Sequence, residues 1–93
     1  MEKKSLENIL DEFIKDVEEK ADYDFFRVEY RELFDNVEKA YQECLSRGVP
    51  KNIMDDILDA ADYTDMEDGG VSRKYLAERI ATLKAEALKT ASA

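Results

Sequence analysis

The sequence predicts an all-α protein, a single-domain antiparallel four-helix bundle that spans residues 1–93. Apolar residues recur at helical spacing in four segments, no segment shows the alternating pattern of a β-strand, and most links are short. A chain of 93 residues builds one modest core, so one domain is expected. The tail, about residues 89–93, is expected to fray.

The first predicted helix covers about residues 5–20, with Ser5 as its N-cap. Its apolar stripe consists of Leu6, Ile9, Leu10, Phe13, Ile14 and Val17. We expect a break at residues 22–24, because Asp-Tyr-Asp favours caps and turns over helix interiors. One continuous helix over residues 5–47 is the alternative.

The second predicted helix covers about residues 25–47, and Gly48 follows it as a left-handed C-terminal residue. Its predicted buried stripe contains Phe26, Tyr30, Leu33, Phe34, Val37, Ala40, Tyr41, Cys44 and Leu45. Since Cys44 lies on this stripe and no histidine is present to activate it, we expect a buried core thiol.

Two further helices are predicted, over about residues 50–61 and 72–88. The third begins at Pro50, and Ser72 is the expected N-cap of the fourth. The buried side of the third is Ile53, Met54, Ile57, Leu58 and Ala61, and that of the fourth is Tyr75, Leu76, Ile80, Leu83 and Leu88. One residue of each helix, Phe13, Phe34, Ile57 and Ile80, is expected in a single shared core.

Residue types that support catalysis or metal binding are scarce. The sequence has no histidine and one cysteine, so it lacks the usual general base and the usual zinc ligands. The acidic link at residues 62–70 does not match a calcium loop, because no register places acids at both the fifth and the twelfth positions. We therefore expect no enzyme activity, no cofactor and no bound metal.

The chain is strongly acidic, with 23 acids against 14 bases and a formal charge of -9. This charge repels nucleic-acid phosphates and anionic membranes, and it favours a basic protein partner. The alternative is that acidity only keeps a small protein soluble. No uninterrupted apolar run resembles a signal peptide or a membrane span, so a cytoplasmic protein is expected.

The acids are concentrated between residues 52 and 72, where no lysine or arginine occurs. Spacings of four and three residues place Asp55, Asp59 and Asp62 on one helix face. Tyr63 and Met66 lie within this stretch and are suitable interface anchors. The alternative, that they cover the end of the bundle, suits Met66 better than Tyr63. The predicted partner-binding residues are Asp55, Asp56, Asp59, Asp62, Tyr63, Asp65, Glu67 and Asp68.

The order of these segments resembles the small helical immunity proteins of the colicin D type. The resemblance is carried by LENILDEF at residues 6–13, FRVEY at 26–30, ILDAADYTD at 57–65 and LAERIATL at 76–83. Related proteins are paired with tRNA-cleaving toxins, including toxins of contact-dependent growth inhibition. The resemblance implies a four-helix bundle that covers the active site of a basic nuclease domain with an acidic surface, the nearest match being residues 59–68. An acidic DNA mimic, a regulatory phage-type binding protein and a structural helical subunit are the alternatives.

Overall fold

The structure, a computed structural model, describes residues 5–20, 23–62 and 73–92. These residues form five helices and no strand, which confirms the all-α class. The helices are α1 (Leu6–Glu19), α2 (Val28–Leu33), α3 (Asp35–Ser46), α4 (Lys51–Asp62) and α5 (Arg73–Ser92). Helix α1 contacts α3, α4 and α5 and is the central element, whereas α2 contacts α3 alone among the described helices.

The first helix begins and ends as its residues predict. The Ser5 side chain accepts a hydrogen bond of 3.2 Å from the backbone N–H of Asn8, which confirms the N-cap. Helix α1 ends at Glu19, and the N–H of Lys20 donates to the carbonyl of Val17. The alternative of one continuous helix over residues 5–47 is therefore wrong.

The second predicted helix is interrupted, so the prediction of one helix over residues 25–47 is wrong. Phe34, with φ -112 and ψ 88, separates α2 from α3. Phe25 is buried and Phe34 packs against the core, with 5.9 Å between their ring centroids. Residues nine positions apart lie on opposite sides of a continuous helix. The chain must leave helical geometry to bring both rings to the same side.

This interruption also changes which side chains of the segment are buried. Phe26, Tyr30 and Leu33 were expected in the core but are 48%, 37% and 65% exposed. The buried side chain of α2 is instead Arg31. Beyond the interruption the predicted stripe is correct, because Val37, Tyr41 and Cys44 are buried and Phe34, Ala40 and Leu45 pack against the core.

The turn between α3 and α4 is fixed by Gly48, as its position predicts. Gly48 has φ +103, its N–H donates to the carbonyl of Leu45, and the N–H of Val49 donates to the carbonyl of Cys44. These two bonds form a Schellman motif, which ends a helix and reverses the chain. Pro50 lies one residue before α4, and its carbonyl accepts from the N–H groups at the start of that helix.

The last two helices complete the core. All five residues predicted for the third helix, Ile53, Met54, Ile57, Leu58 and Ala61, are buried on α4. On α5 the buried residues are Leu76, Ile80, Leu83 and Ala87, so the prediction for Tyr75, which is 54% exposed, is wrong. Phe13, Ile57 and Ile80 share one core, and Phe34 packs against it only partly buried. Helix α5 continues to Ser92, through most of the tail that was expected to fray, and Ser72 lies outside the described residues.

Candidate functional site

The predicted partner-binding residues are divided between α4 and the segment that follows it. Asp55, Asp56 and Asp59 are described on α4, and Asp62 is the last residue of that helix. The other four, Tyr63, Asp65, Glu67 and Asp68, lie outside the described residues. The geometry available for the candidate surface is therefore that of the outer face of α4.

Two acids on α4 face outward. Asp56 and Asp59 are exposed, and residues three apart are neighbours on a helix surface. Within the described part of the chain neither carboxylate makes an ion pair. The opposite face of α4 packs into the core, so the helix holds these two charges on a fixed backbone. The α4 acidic face, defined here as Asp56 and Asp59, is the part of the predicted surface whose side chains the structure describes as exposed.

Asp55 differs from these two acids because other side chains in the protein already engage it. The hydroxyl of Tyr41 donates to its Oδ1 at 2.8 Å, and the Lys51 Nζ donates to its Oδ2 at 2.8 Å. Burial, followed by the hydrogen bond to Asp55, raises the pKa of Tyr41, and the bond to Asp55 raises the pKa of Lys51. At neutral pH both groups therefore remain proton donors, and Asp55 links α3 to α4.

The same contacts extend to α2 through Arg31. Its Nε lies 3.2 Å from the Oε2 of Glu38, an ion pair in which the N–H is not aligned with the oxygen. Its guanidinium carbon lies 4.5 Å from the centre of the Tyr41 ring, at cation–π distance. A buried arginine needs such partners, since an unpaired buried charge is strongly destabilising. Arg31, Glu38, Tyr41 and Asp55 thus hold α2, α3 and α4 together.

An open groove of about 1100 Å³ runs along α1 and α3. Four carboxylates line it, from Glu12, Asp16, Glu19 and Glu43, together with three basic side chains. Ion pairs partly neutralise these charges, for example Arg47 with Glu43 at 2.8 Å. Small-molecule sites are usually enclosed and mostly apolar, so this groove has the character of an ordinary charged surface.

Cys44 is buried, as its position on the helical stripe predicts. Burial raises the pKa of its thiol to about 11, so at neutral pH it is protonated and a poor nucleophile. Among the residues that the structure describes, no three side chains of aspartate, glutamate or cysteine lie together in a group that could hold a metal ion. No helix in those residues is long and apolar enough to cross a membrane.

A second surface was missed by sequence reasoning, because three of its residues, Phe26, Tyr30 and Leu33, were expected in the core. It surrounds α2 and consists of Tyr23, Phe26, Val28, Tyr30 and Leu33, which are between 37% and 65% exposed. We call it the α2 apolar surface. The carboxylate of Asp24, which accepts from the N–H of Phe26 at 3.2 Å, turns the chain at its start. The Asp24 turn and the nine-residue separation of Phe25 and Phe34 are the sequence signals that indicate it.

No protein-family model, curated protein or solved structure matches this sequence. What the chain does must therefore be inferred from its own residues.

Proposed function

We propose that this chain is a non-catalytic binding protein that neutralises a basic nuclease domain of the tRNA-cleaving type, as an immunity protein does. The observation that carries the proposal is the α4 acidic face, where Asp56 and Asp59 are exposed and unpaired within the described residues. The fold we associate with it is an antiparallel bundle in which α2 and α3 together occupy the place of one helix.

The electrostatic reasoning starts from the chemistry of the partner. A site that cleaves RNA must be basic to hold phosphates, and an acidic protein surface complements it. Between residues 52 and 72 the chain has no lysine or arginine to offset its acids. Such a surface accelerates association with a basic partner and blocks the substrate by occupying its place.

The internal contacts of Asp55 refine the proposed surface. Its carboxylate is engaged by Tyr41 and Lys51, so Asp55 contributes to folding, and we assign the partner contact on α4 to Asp56 and Asp59. The proposed contact continues from Asp62 through Tyr63, Asp65, Glu67 and Asp68, as the sequence predicts.

A structural helical subunit is the second candidate, and the α2 apolar surface is the observation that favours it. Such a subunit binds through apolar side chains, and its association survives high salt. An acidic mimic of DNA shares the acidic surface of our proposal but binds a nucleic-acid site that does not cleave RNA.

Low-salt affinity capture from the native host, followed by an RNA-cleavage assay of the captured protein, tests the proposal. We expect a basic protein whose RNA cleavage stops when one equivalent of this chain is added. A captured protein that binds nucleic acid without cleaving RNA favours the DNA mimic. Capture that is unaffected by high salt favours the structural subunit and contradicts our proposal.

Charge reversal then locates the contact. We expect the double variant Asp56→Lys with Asp59→Lys to lose inhibition while it keeps the parent circular dichroism spectrum, because both residues are exposed. Acids on α1 make less suitable controls, because the carboxylate of Asp11 pairs with the Lys84 Nζ at 2.7 Å. Glu86→Lys, at an exposed position on α5, is the matched control.

A further inference from the structure

The α2 apolar surface is anchored to the core, although its own side chains are exposed. A helix of six residues does not persist alone in water, so its neighbours must fix α2. Buried Phe25 and partly buried Phe34 anchor the chain on either side of it, and Arg31 anchors it from within. Within the described fold, α2 contacts no helix other than α3.

Three of these exposed side chains, Tyr23, Tyr30 and Leu33, are adjacent to one another. Tyr30 and Leu33 are three residues apart on α2, which makes them neighbours on its surface. Ring centroids of Tyr23 and Tyr30 are 6.0 Å apart, so Tyr23 extends the same apolar area. Leu33 is 65% exposed, the largest exposed fraction among the large apolar residues described. Exposed apolar area of this kind usually marks a contact with another molecule.

The border of the surface is acidic. Exposed acids in this segment are Asp24, Glu29, Glu32 and Asp35, and they outnumber the two exposed bases beside them, Arg27 and Lys39, of which Lys39 pairs with Asp35 at 2.9 Å. Arg27 is itself close to Glu29, with 3.6 Å between Nε and Oε2. A second copy of this chain placed on the surface would bring a second acidic border against the first, which opposes self-association.

We propose that the α2 apolar surface binds an amphipathic partner segment whose apolar side chains are bordered by lysine or arginine. The apolar side chains contact Tyr30 and Leu33, and the basic border pairs with the acids around α2. This inference rests on the proposed function in one respect, that the partner is basic. It adds a second contact, separate from the α4 acidic face, that supplies apolar burial in addition to electrostatic attraction.

A synthetic helix of leucine and lysine, with leucine at positions i, i+3, i+4 and i+7, is the probe. A peptide of the same composition with leucine and lysine shuffled out of helical register is its control. Fluorescence anisotropy of the labelled peptides measures their affinity. We expect the amphipathic peptide to bind more tightly than the shuffled one, and Leu33→Ser to weaken it about fivefold or more. Equal binding of both peptides contradicts the proposal.

Two further variants separate a local effect from a general one. Tyr30→Ser changes the other side chain of the proposed contact and is expected to weaken the amphipathic peptide in the same direction. Tyr75→Ser, on α5, which makes no contact with α2 in the described fold, is expected to leave the affinity unchanged. If Tyr75→Ser and Leu33→Ser weaken binding equally, α2 is not the site.

Three other outcomes distinguish this inference from the proposed function and from self-association. If reversal of Asp56 and Asp59 abolishes binding of both peptides while Leu33→Ser does not, the α2 proposal fails and the α4 acidic face stands. If the amphipathic peptide binds as expected but no basic nuclease is captured, the α2 proposal stands and the proposed function fails. A dimer in sedimentation experiments that Leu33→Ser dissociates identifies a second copy as the occupant and overturns the proposal.

Discussion

Replacing Tyr41 by phenylalanine tests whether Asp55 stabilises the fold, as its contacts indicate. The variant removes the hydroxyl that donates to Asp55 Oδ1 at 2.8 Å and keeps the ring, which is 1% exposed. A hydrogen bond to a charged group contributes about 1.5–3 kcal/mol. The Asp55 side chain is 28% exposed, so water replaces part of the lost contact. We therefore expect Tyr41→Phe to lower the free energy of unfolding by about 1–2 kcal/mol.

Urea denaturation followed by circular dichroism measures this loss. The midpoint should fall with an unchanged slope, and the melting temperature should fall by about 4–8 °C per kcal/mol. Tyr30→Phe is the matched control, because Tyr30 is 37% exposed and its hydroxyl makes no hydrogen bond within the described residues. In combination with Asp55→Ala, the effect of Tyr41→Phe should largely disappear, since the acceptor is then absent. An unchanged midpoint for Tyr41→Phe, or full additivity with Asp55→Ala, refutes the reasoning.

Three further predictions concern the core, the turn and the pH dependence. Phe13→Ala should lower the free energy of unfolding by about 3–5 kcal/mol, and Phe34→Ala by less because Phe34 is only partly buried; denaturation showing the opposite order contradicts the core assignment. Gly48→Ala should lower the free energy of unfolding by about 1–2 kcal/mol through backbone strain at φ +103. The new Cβ would meet no steric clash, because the nearest atom is 3.7 Å away, and an unchanged melting temperature contradicts the prediction. Burial raises the pKa of Cys44 from 9.0 to about 11, so the unfolded chain loses this proton first. The contribution of this thiol to the free energy of unfolding is fully present below about pH 9 and is lost as the pH rises toward about 11. In Cys44→Ala the free energy of unfolding should therefore fall less steeply over this pH range, and an equally steep fall contradicts the prediction.

Most of the fold follows from local signals that the sequence carries. The Ser5 cap, the Gly48 turn and the buried side of α4 were all predictable, because each depends on residues a few positions apart. Periodicity did not predict the interruption at Phe34, because the apolar stripe continues past this residue whereas the helix does not. The interruption brings Phe25 and Phe34 to the same side, and this depends on tertiary packing. Helical periodicity carries no information about it.

The candidate site was predictable in charge but not in detail. A stretch without lysine or arginine is visible in the sequence, and it placed Asp56 and Asp59 correctly on one helix with Asp55. Tyr41 and Asp55 are fourteen residues apart in the chain, and their hydrogen bond depends on the packing of α3 against α4. The sequence pattern does not contain this information. The α2 apolar surface was not predicted, because it also depends on tertiary packing. Periodicity assigned Tyr30 and Leu33 to the buried side of the helix, but Arg31 is the residue that is buried there.

The rate at which the captured nuclease associates with this chain, measured by stopped-flow fluorescence at low and high salt, tests the central claim most directly. We expect the Asp56→Lys and Asp59→Lys double variant to associate at least about tenfold more slowly than the parent at low salt, with the difference shrinking as salt is added. Glu86→Lys should have a much smaller effect. Equal rates for the parent and the double variant at low salt would contradict the assignment of the α4 acidic face as the partner-binding surface.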